Sequence, residues 1–157
     1  MPFASGPTLM YVGRGIYETV GPTEYVGATE VIRVPAGSRT DLATVPRAFW
    51  ALMPPTGAYE AAAVLHDWHC TRLAAGDRAV SSRDADGLFR RVMRESGVGP
   101  VTRWMMWTGV RLGALANPAR RDGWWRDAPA VAAISATALA ATGSAVWCLD
   151  TLAHHLI

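Results

Sequence analysis

Two histidines, an aspartate and a cysteine lie within one eight-residue stretch, AVLHDWHC, which runs from Ala63 to Cys70. Histidine is the side chain whose ordinary pKa lies closest to neutral pH, so His66 is a candidate for proton transfer. The neighbouring carboxylate of Asp67 can hold a hard cation through its oxygens, which makes it a candidate ligand for a divalent cation such as calcium. The stretch can therefore form an acid–base site, a metal site or only the polar edge of a helix.

The elements that carry these residues predict a partner for His66. Residues 58–74 contain few helix breakers and many alanines, which indicates a helix. A second helix over 83–95, capped by Ser81-Ser82, carries an apolar stripe with Asp86 at its edge. Because a short loop joins the two helices, we expect them to pack antiparallel and to bring Asp86 to His66. Asp86 would orient the imidazole and leave the other ring nitrogen free as a general base. On this helical wheel Asp67 points about 100° away from His66.

Other chemistries fit these residues less well. The same carboxylates and imidazole can form a satisfied polar network that only ties two helices together. A zinc site would need more ligands than His66, His69 and Cys70, and the chain contains no CxxC. A His-Asp phosphohydrolase would need a histidine before His66, and the sequence has none. No G-x-S-x-G is present, and Cys70 has no evident activating cation. Trp68 and Cys70 are interpreted as packing residues, and His69 as an edge residue.

The remaining elements predict an α+β fold. Residues 1–40 contain short apolar runs separated by Gly and Pro, which indicates a small N-terminal antiparallel β-meander. The Y-x-G-x-G at 11–15 reads as a turn between strands rather than a ligand-binding loop. Prolines make 38–57 an irregular connection, with a short helical turn at 47–52. A third helix is predicted at 102–115, which completes a three-helix bundle.

Composition limits the classes of function. The chain has 157 residues, of which half are hydrophobic and 18% charged, as expected for one folded domain. Its 15 basic and 13 acidic residues give a net charge of +2, which is too balanced to favour nucleic acid as a partner. The two cysteines, Cys70 and Cys148, predict no disulfide framework.

Residues 130–149 contain no charged side chain and predict a transmembrane helix, since twenty residues span roughly 30 Å. The alternative is a buried helix of a soluble bundle, because eight of these residues are alanine. Arg120, Arg121 and Arg126 precede the segment and place its N-terminal side in the cytoplasm. Small residues at Ala132 and Ala136 would let two copies pack closely. The predicted divisions are a domain at 1–117, a juxtamembrane linker at 118–129, the span at 130–149 and a tail at 150–157.

Several linked motifs resemble a family of proteins of unknown function, the domain family numbered 1353. They are VPAG at 34–37, TDLATVPR at 40–47, AVLHD at 63–67, SR followed by ADGLF at 82–89, and VRLG at 110–113. The resemblance covers about residues 8–115 and implies a bacteriophage or prophage protein, without implying an activity. It also implies that the apolar segment is an addition to the family domain.

Residues 61–89 also resemble the paired helices of secreted-type phospholipases, especially the version in parvovirus capsids. This resemblance implies His66 as general base, Asp67 as a calcium ligand and Asp86 as the residue that orients His66. The sequence departs from that plan, because Pro54-Pro55-Thr56-Gly57 occupies the place of the calcium loop and Cys70 that of a tyrosine. Asp41 is a candidate for the missing calcium ligand or for a hydrogen bond.

Two functions follow from these observations. One is a phage structural, assembly or host-envelope interaction protein, bound to membrane lipid by its C-terminal helix, in which His66 and Asp86 only fasten two helices. The other is a hydrolase, phospholipase-like or another esterase, with His66 as base. We expect the host inner membrane as the location, or alternatively the virion. The expected protein partners are a second copy of the chain or other phage or envelope proteins.

Overall fold

The computed structural model describes residues 3–42 and 57–155. The predicted α+β class is confirmed, with antiparallel strands followed by helices. The strands are β1 (Leu9–Gly13), β2 (Ile16–Thr19), β3 (Thr23–Val26), β4 (Val31–Val34) and β5 (Arg39–Thr40). The helices are α1 (Glu60–Ala74), α2 (Ser82–Glu95), α3 (Pro100–Ala116) and α4 (Ala128–His155), with a short 3-10 helix, Trp124–Arg126, before α4. The helical turn predicted at 47–52 lies outside the described residues.

The first two strands form a hairpin around Gly13-Arg14-Gly15. All three residues have positive φ, and Arg14 lies in the left-handed region at φ 54° between two glycines that adopt it readily. β1 and β2 pair antiparallel on either side of this turn, with Tyr11 opposite Tyr17. The interpretation of the Y-x-G-x-G as a turn is therefore confirmed.

The strands divide into two sheets, which the sequence did not predict. β2 pairs with β1 and β5, while β3 pairs only with β4. Pro22 lies between β2 and β3 and cannot donate a ladder hydrogen bond. Thr19, at the end of β2, bonds instead to the segment before β5: its amide donates to Ser38 O and its hydroxyl to Pro35 O. β5 itself falls in a segment that was predicted to be irregular.

The core forms where α1 lies between the sheets and α2. α1 is buried on most of its circumference, because the strands cover one side of it and α2 the other. The predicted stripe of α2 supplies the facing side, with Ala85, Phe89, Val92 and Met93 all buried. The hydroxyl of Ser81 caps α2 by accepting a 3.1 Å hydrogen bond from the amide of Asp84, as predicted. Tyr25 ties β3 to α2 through a 2.9 Å hydrogen bond to Glu95.

α4 leaves the domain as an exposed apolar helix. Its 28 residues correspond to about 42 Å, which is long enough to cross a bilayer. The most apolar part has a mean hydropathy of 1.5, and only 6% of it is buried against the rest of the protein. The base of α4 contacts the rest of the protein, where Val131 is buried and α4 packs on α3 and the 3-10 helix. Length and composition therefore permit a membrane span, and the rest of the described chain leaves most of this helix uncovered.

Candidate functional site: a buried His-Asp-Arg network

The predicted approach of Asp86 to His66 is confirmed. His66 Nε2 lies 2.6 Å from Asp86 Oδ1, across the interface of α1 and α2. The His66 ring packs on Phe89, with ring centroids 4.9 Å apart. His66 is 5% exposed and Asp86 is fully buried, so this hydrogen bond lies in the core.

Two arginines share the Asp86 carboxylate with His66. Arg111 Nη1, from α3, donates to Asp86 Oδ2 at 2.8 Å, and Arg120 Nη2 donates to Oδ1 at 2.6 Å. Arg111 is itself fully buried. A single carboxylate thus receives hydrogen bonds from α1, α3 and the segment after α3, all of them charge-assisted if His66 is protonated.

The second ring nitrogen of His66 is not free, which corrects the expectation of an open base. Nδ1 lies 3.4 Å from Asp67 Oδ1, and Cys70 Sγ is 3.8 Å from the same nitrogen. Asp67 was expected to point away from His66. β5 draws it back, because Thr40 Oγ1 donates to Asp67 Oδ2 at 2.6 Å and the amide of Asp41 donates to the same oxygen at 3.3 Å.

These contacts set the charge of His66. Burial alone lowers its pKa, but hydrogen bonds to Asp67 and Asp86 outweigh burial and raise the pKa well above its ordinary value. Burial raises the pKa of Asp86, while His66, Arg120 and Arg111 lower it further than burial raises it. The raised pKa of His66 and the lowered pKa of Asp86 favour an imidazolium paired with a carboxylate, with a proton on each ring nitrogen of His66.

The network continues to the base of α4. Arg111 Nε lies 3.2 Å from Asp127 Oδ2, at ion-pair distance but without hydrogen-bond alignment. Arg83 Nε, on α2, donates to Asp127 Oδ1 at 3.0 Å. The interior of the network then holds three carboxylates, Asp67, Asp86 and Asp127, and three cations, His66, Arg111 and Arg120. This balance lets the charges stay buried.

An open cleft of about 280 Å³ borders the outer end of the network. Asp41, Asp67 and Cys70 line it together with Thr40. These residues fit calcium poorly, because both oxygens of Asp67 already accept hydrogen bonds and no third acidic side chain joins them. Within the described ranges, no three His, Cys, Asp or Glu side chains gather closely enough to hold a metal. Calcium at Asp41 and Asp67 stays a prediction.

Sequence reasoning missed part of this site. Arg120 was assigned to the basic flank of a membrane span, yet its side chain is only 11% exposed and pairs with Asp86. Arg111 lies one helical turn from buried Trp107 and from buried Ala114, so it stands in the inward stripe of α3. An arginine in such a stripe needs a buried acid, and that signal was available. His69 was predicted at an edge but is buried, at 4% exposure.

Comparison with known proteins assigns the family. The family described as "Protein of unknown function (DUF1353)" matches residues 17–110, which hold β2 to β5 and most of the helical bundle. The chain belongs to this family. An uncharacterized protein, y4jT, of Sinorhizobium fredii is 34% identical over 83 residues, which cover 51% of this chain and 23% of that protein. This chain thus matches under a quarter of the relative's length. No solved structure matches the chain.

Proposed function

We propose that this DUF1353 protein is a membrane-anchored bacteriophage or prophage protein with a structural, assembly or host-envelope role. In this proposal the buried His-Asp-Arg network fastens the domain together and catalyses nothing. The observation that carries it is buried His66, whose two ring nitrogens both face carboxylates, Asp86 in the core and Asp67 at the edge of the cleft. The bacteriophage origin rests on the resemblance of the sequence motifs.

The state of His66 argues against a general base. A base needs an unprotonated nitrogen within hydrogen-bond reach of the proton that it removes. The raised pKa of His66 keeps both nitrogens protonated, and its 5% exposure leaves little room for a substrate. An imidazolium between two carboxylates instead links α1 to α2 through Asp86 and to β5 through Asp67.

The exposed apolar helix supports the membrane anchor. Leu139, Val146 and Trp147 are each more than half exposed, which is costly in water and favourable in lipid. Arg121 and Arg126 lie before the helix, and residues 127–157 contain no Lys or Arg. The distribution of positive charge favours a cytoplasmic domain with the helix in the host inner membrane.

A pair of leucine substitutions tests the anchor. Leu139→Arg places a charge near the middle of α4, at a cost of about 2.5–3.5 kcal/mol for insertion. Leu115→Arg is the matched control, because Leu115 is also exposed but lies on α3. We expect wild type and Leu115→Arg to stay with membranes after a sodium carbonate wash, and Leu139→Arg to be released. Equal release of all three proteins would contradict anchoring.

One observation favours a hydrolase as the second candidate: Asp67 and Cys70, which line the cleft, both contact Nδ1 of His66. Wild type and His66→Gln should be assayed on phospholipid vesicles and on soluble esters, with and without calcium. The structural proposal predicts no hydrolysis that depends on His66. Hydrolysis by wild type that His66→Gln abolishes, at unchanged folding, would establish the hydrolase instead.

A further inference from the structure

A second depression shares no lining residue with the cleft beside Asp67, although its Arg83 and Asp127 also belong to the outer part of the buried network. It encloses about 650 Å³, within the range of small-molecule binding sites. We call it the basic groove and define it by six of its lining residues: His69, Arg83, Arg90, Arg91, Trp104 and Trp107. The first turn of α4 forms part of its wall through Ala130.

The groove carries buried polar nitrogens without hydrogen-bond partners among the described residues. His69 Nε2, Arg90 Nε and Arg91 Nε are buried and have no hydrogen-bond partner within the described part of the chain. His69 is 96% buried, since only 4% of it is exposed. Unpaired buried polar atoms are costly, and all three are nitrogens. The two arginine nitrogens call for acceptor oxygens on a ligand, whereas His69 Nε2 donates or accepts according to the tautomer of the ring.

Three arginines and three carboxylates line the groove, and two of the arginines already form ion pairs. Arg83 pairs with Asp127, Arg91 pairs with Glu30, and Asp84 accepts a hydrogen bond from Ser81. Arg90 is the exception: its guanidinium stacks 3.9 Å from the Trp104 ring centroid and forms no ion pair with a described carboxylate. A stacked guanidinium keeps its N–H edge available for phosphate oxygens.

We infer that the basic groove binds the phosphate of an anionic membrane phospholipid. The inference rests on the proposed anchor, because α4 then carries the groove at the level of the lipid headgroups. Trp104, which is 37% exposed, suits that depth, since tryptophan concentrates at the membrane interface. Phosphate offers the several oxygens that the unpaired nitrogens lack, and arginine recognises it with paired hydrogen bonds.

Lipid retention tests this inference. Full-length protein is reconstituted in vesicles of three parts phosphatidylcholine to one part phosphatidylglycerol, extracted in mild detergent and weighed by native mass spectrometry. Wild type should retain one phosphatidylglycerol, and Arg90→Gln should lower the retained fraction about 10-fold, as expected for losing one charge-assisted hydrogen bond. Arg94→Gln, an exposed arginine one turn along α2, is the matched control and should retain the lipid.

A second variant and a soluble ligand distinguish the possible outcomes. Arg91→Gln is the second variant and should also lose the lipid, which covers the case in which Arg90→Gln misfolds. Equal retention by wild type, Arg90→Gln and Arg91→Gln would overturn the site. Glycerol phosphate that stabilises wild type but not Arg90→Gln, without retention of lipid, would overturn the lipid as ligand. The Leu139→Arg experiment tests the membrane anchor separately. If the anchor hypothesis fails there, the glycerol phosphate measurement still tests whether the groove binds phosphate.

Discussion

Replacing Asp86 with asparagine removes one charge from the centre of the network and keeps the shape of the side chain. Asp86 accepts hydrogen bonds from His66, Arg111 and Arg120, and it is fully buried. His66 can respond by losing its proton, but a guanidinium cannot. Arg111, also fully buried, would keep only Asp127, at 3.2 Å and without hydrogen-bond alignment. Breaking one partner of a buried ion pair typically costs about 3–5 kcal/mol.

We therefore expect Asp86→Asn to lower the free energy of unfolding by about 3–5 kcal/mol. The full-length protein in detergent micelles is unfolded with urea, and tryptophan fluorescence reports the transition because Trp107 is buried near the network. Asp122→Asn, at an exposed aspartate, is the matched control and should change stability by less than about 0.5 kcal/mol. A loss below about 1 kcal/mol for Asp86→Asn would refute the claim that this carboxylate holds three buried cations.

Two further predictions concern the two sides of His66. Its pKa is raised by folding, so its contribution to stability is complete below the ordinary histidine value of about 6.5 and is lost as the pH rises through the raised value. Urea midpoints of wild type should therefore fall toward alkaline pH more steeply than those of His66→Gln, and parallel profiles would contradict a charged His66. Thr40→Val removes the hydroxyl that donates to Asp67 at 2.6 Å and accepts the amide of Leu42 at 3.0 Å. It should cost about 1–3 kcal/mol in the same urea assay. Thr29→Val, at an exposed threonine, should cost almost nothing; equal effects would place the stabilisation elsewhere.

The contact between His66 and Asp86 was predictable because it depends on local rules. Helical periodicity places Asp86 at the edge of the apolar stripe of α2, and a short loop makes α2 the neighbour of α1. The start of α2 followed for the same reason, since Ser81 caps it, whereas α3 begins at Pro100, two residues before the predicted start.

The rest of the site depends on contacts distant in sequence. A helical wheel predicts that Asp67 points away from His66, because it considers only one helix. In the structure, Thr40 of β5 holds the Asp67 carboxylate by a hydrogen bond. Arg120 reads as one of several basic residues before an apolar segment, because nothing near it in sequence indicates a buried partner 34 positions away. The division into two sheets likewise depends on Thr19 bonding to Ser38 and Pro35 rather than to its sequence neighbours.

Asp127 fixes the first turn of α4 to the rest of the protein. It lies immediately before α4, and it is held by Arg111 and Arg83 from two different helices. Val131 packs into the domain one turn later. These contacts restrain the first turn of α4 more than a flexible tether would. If α4 lies in a bilayer, these contacts limit how far the domain can move or rotate relative to the membrane surface. Tilting of α4 would then strain the ion pairs at its base.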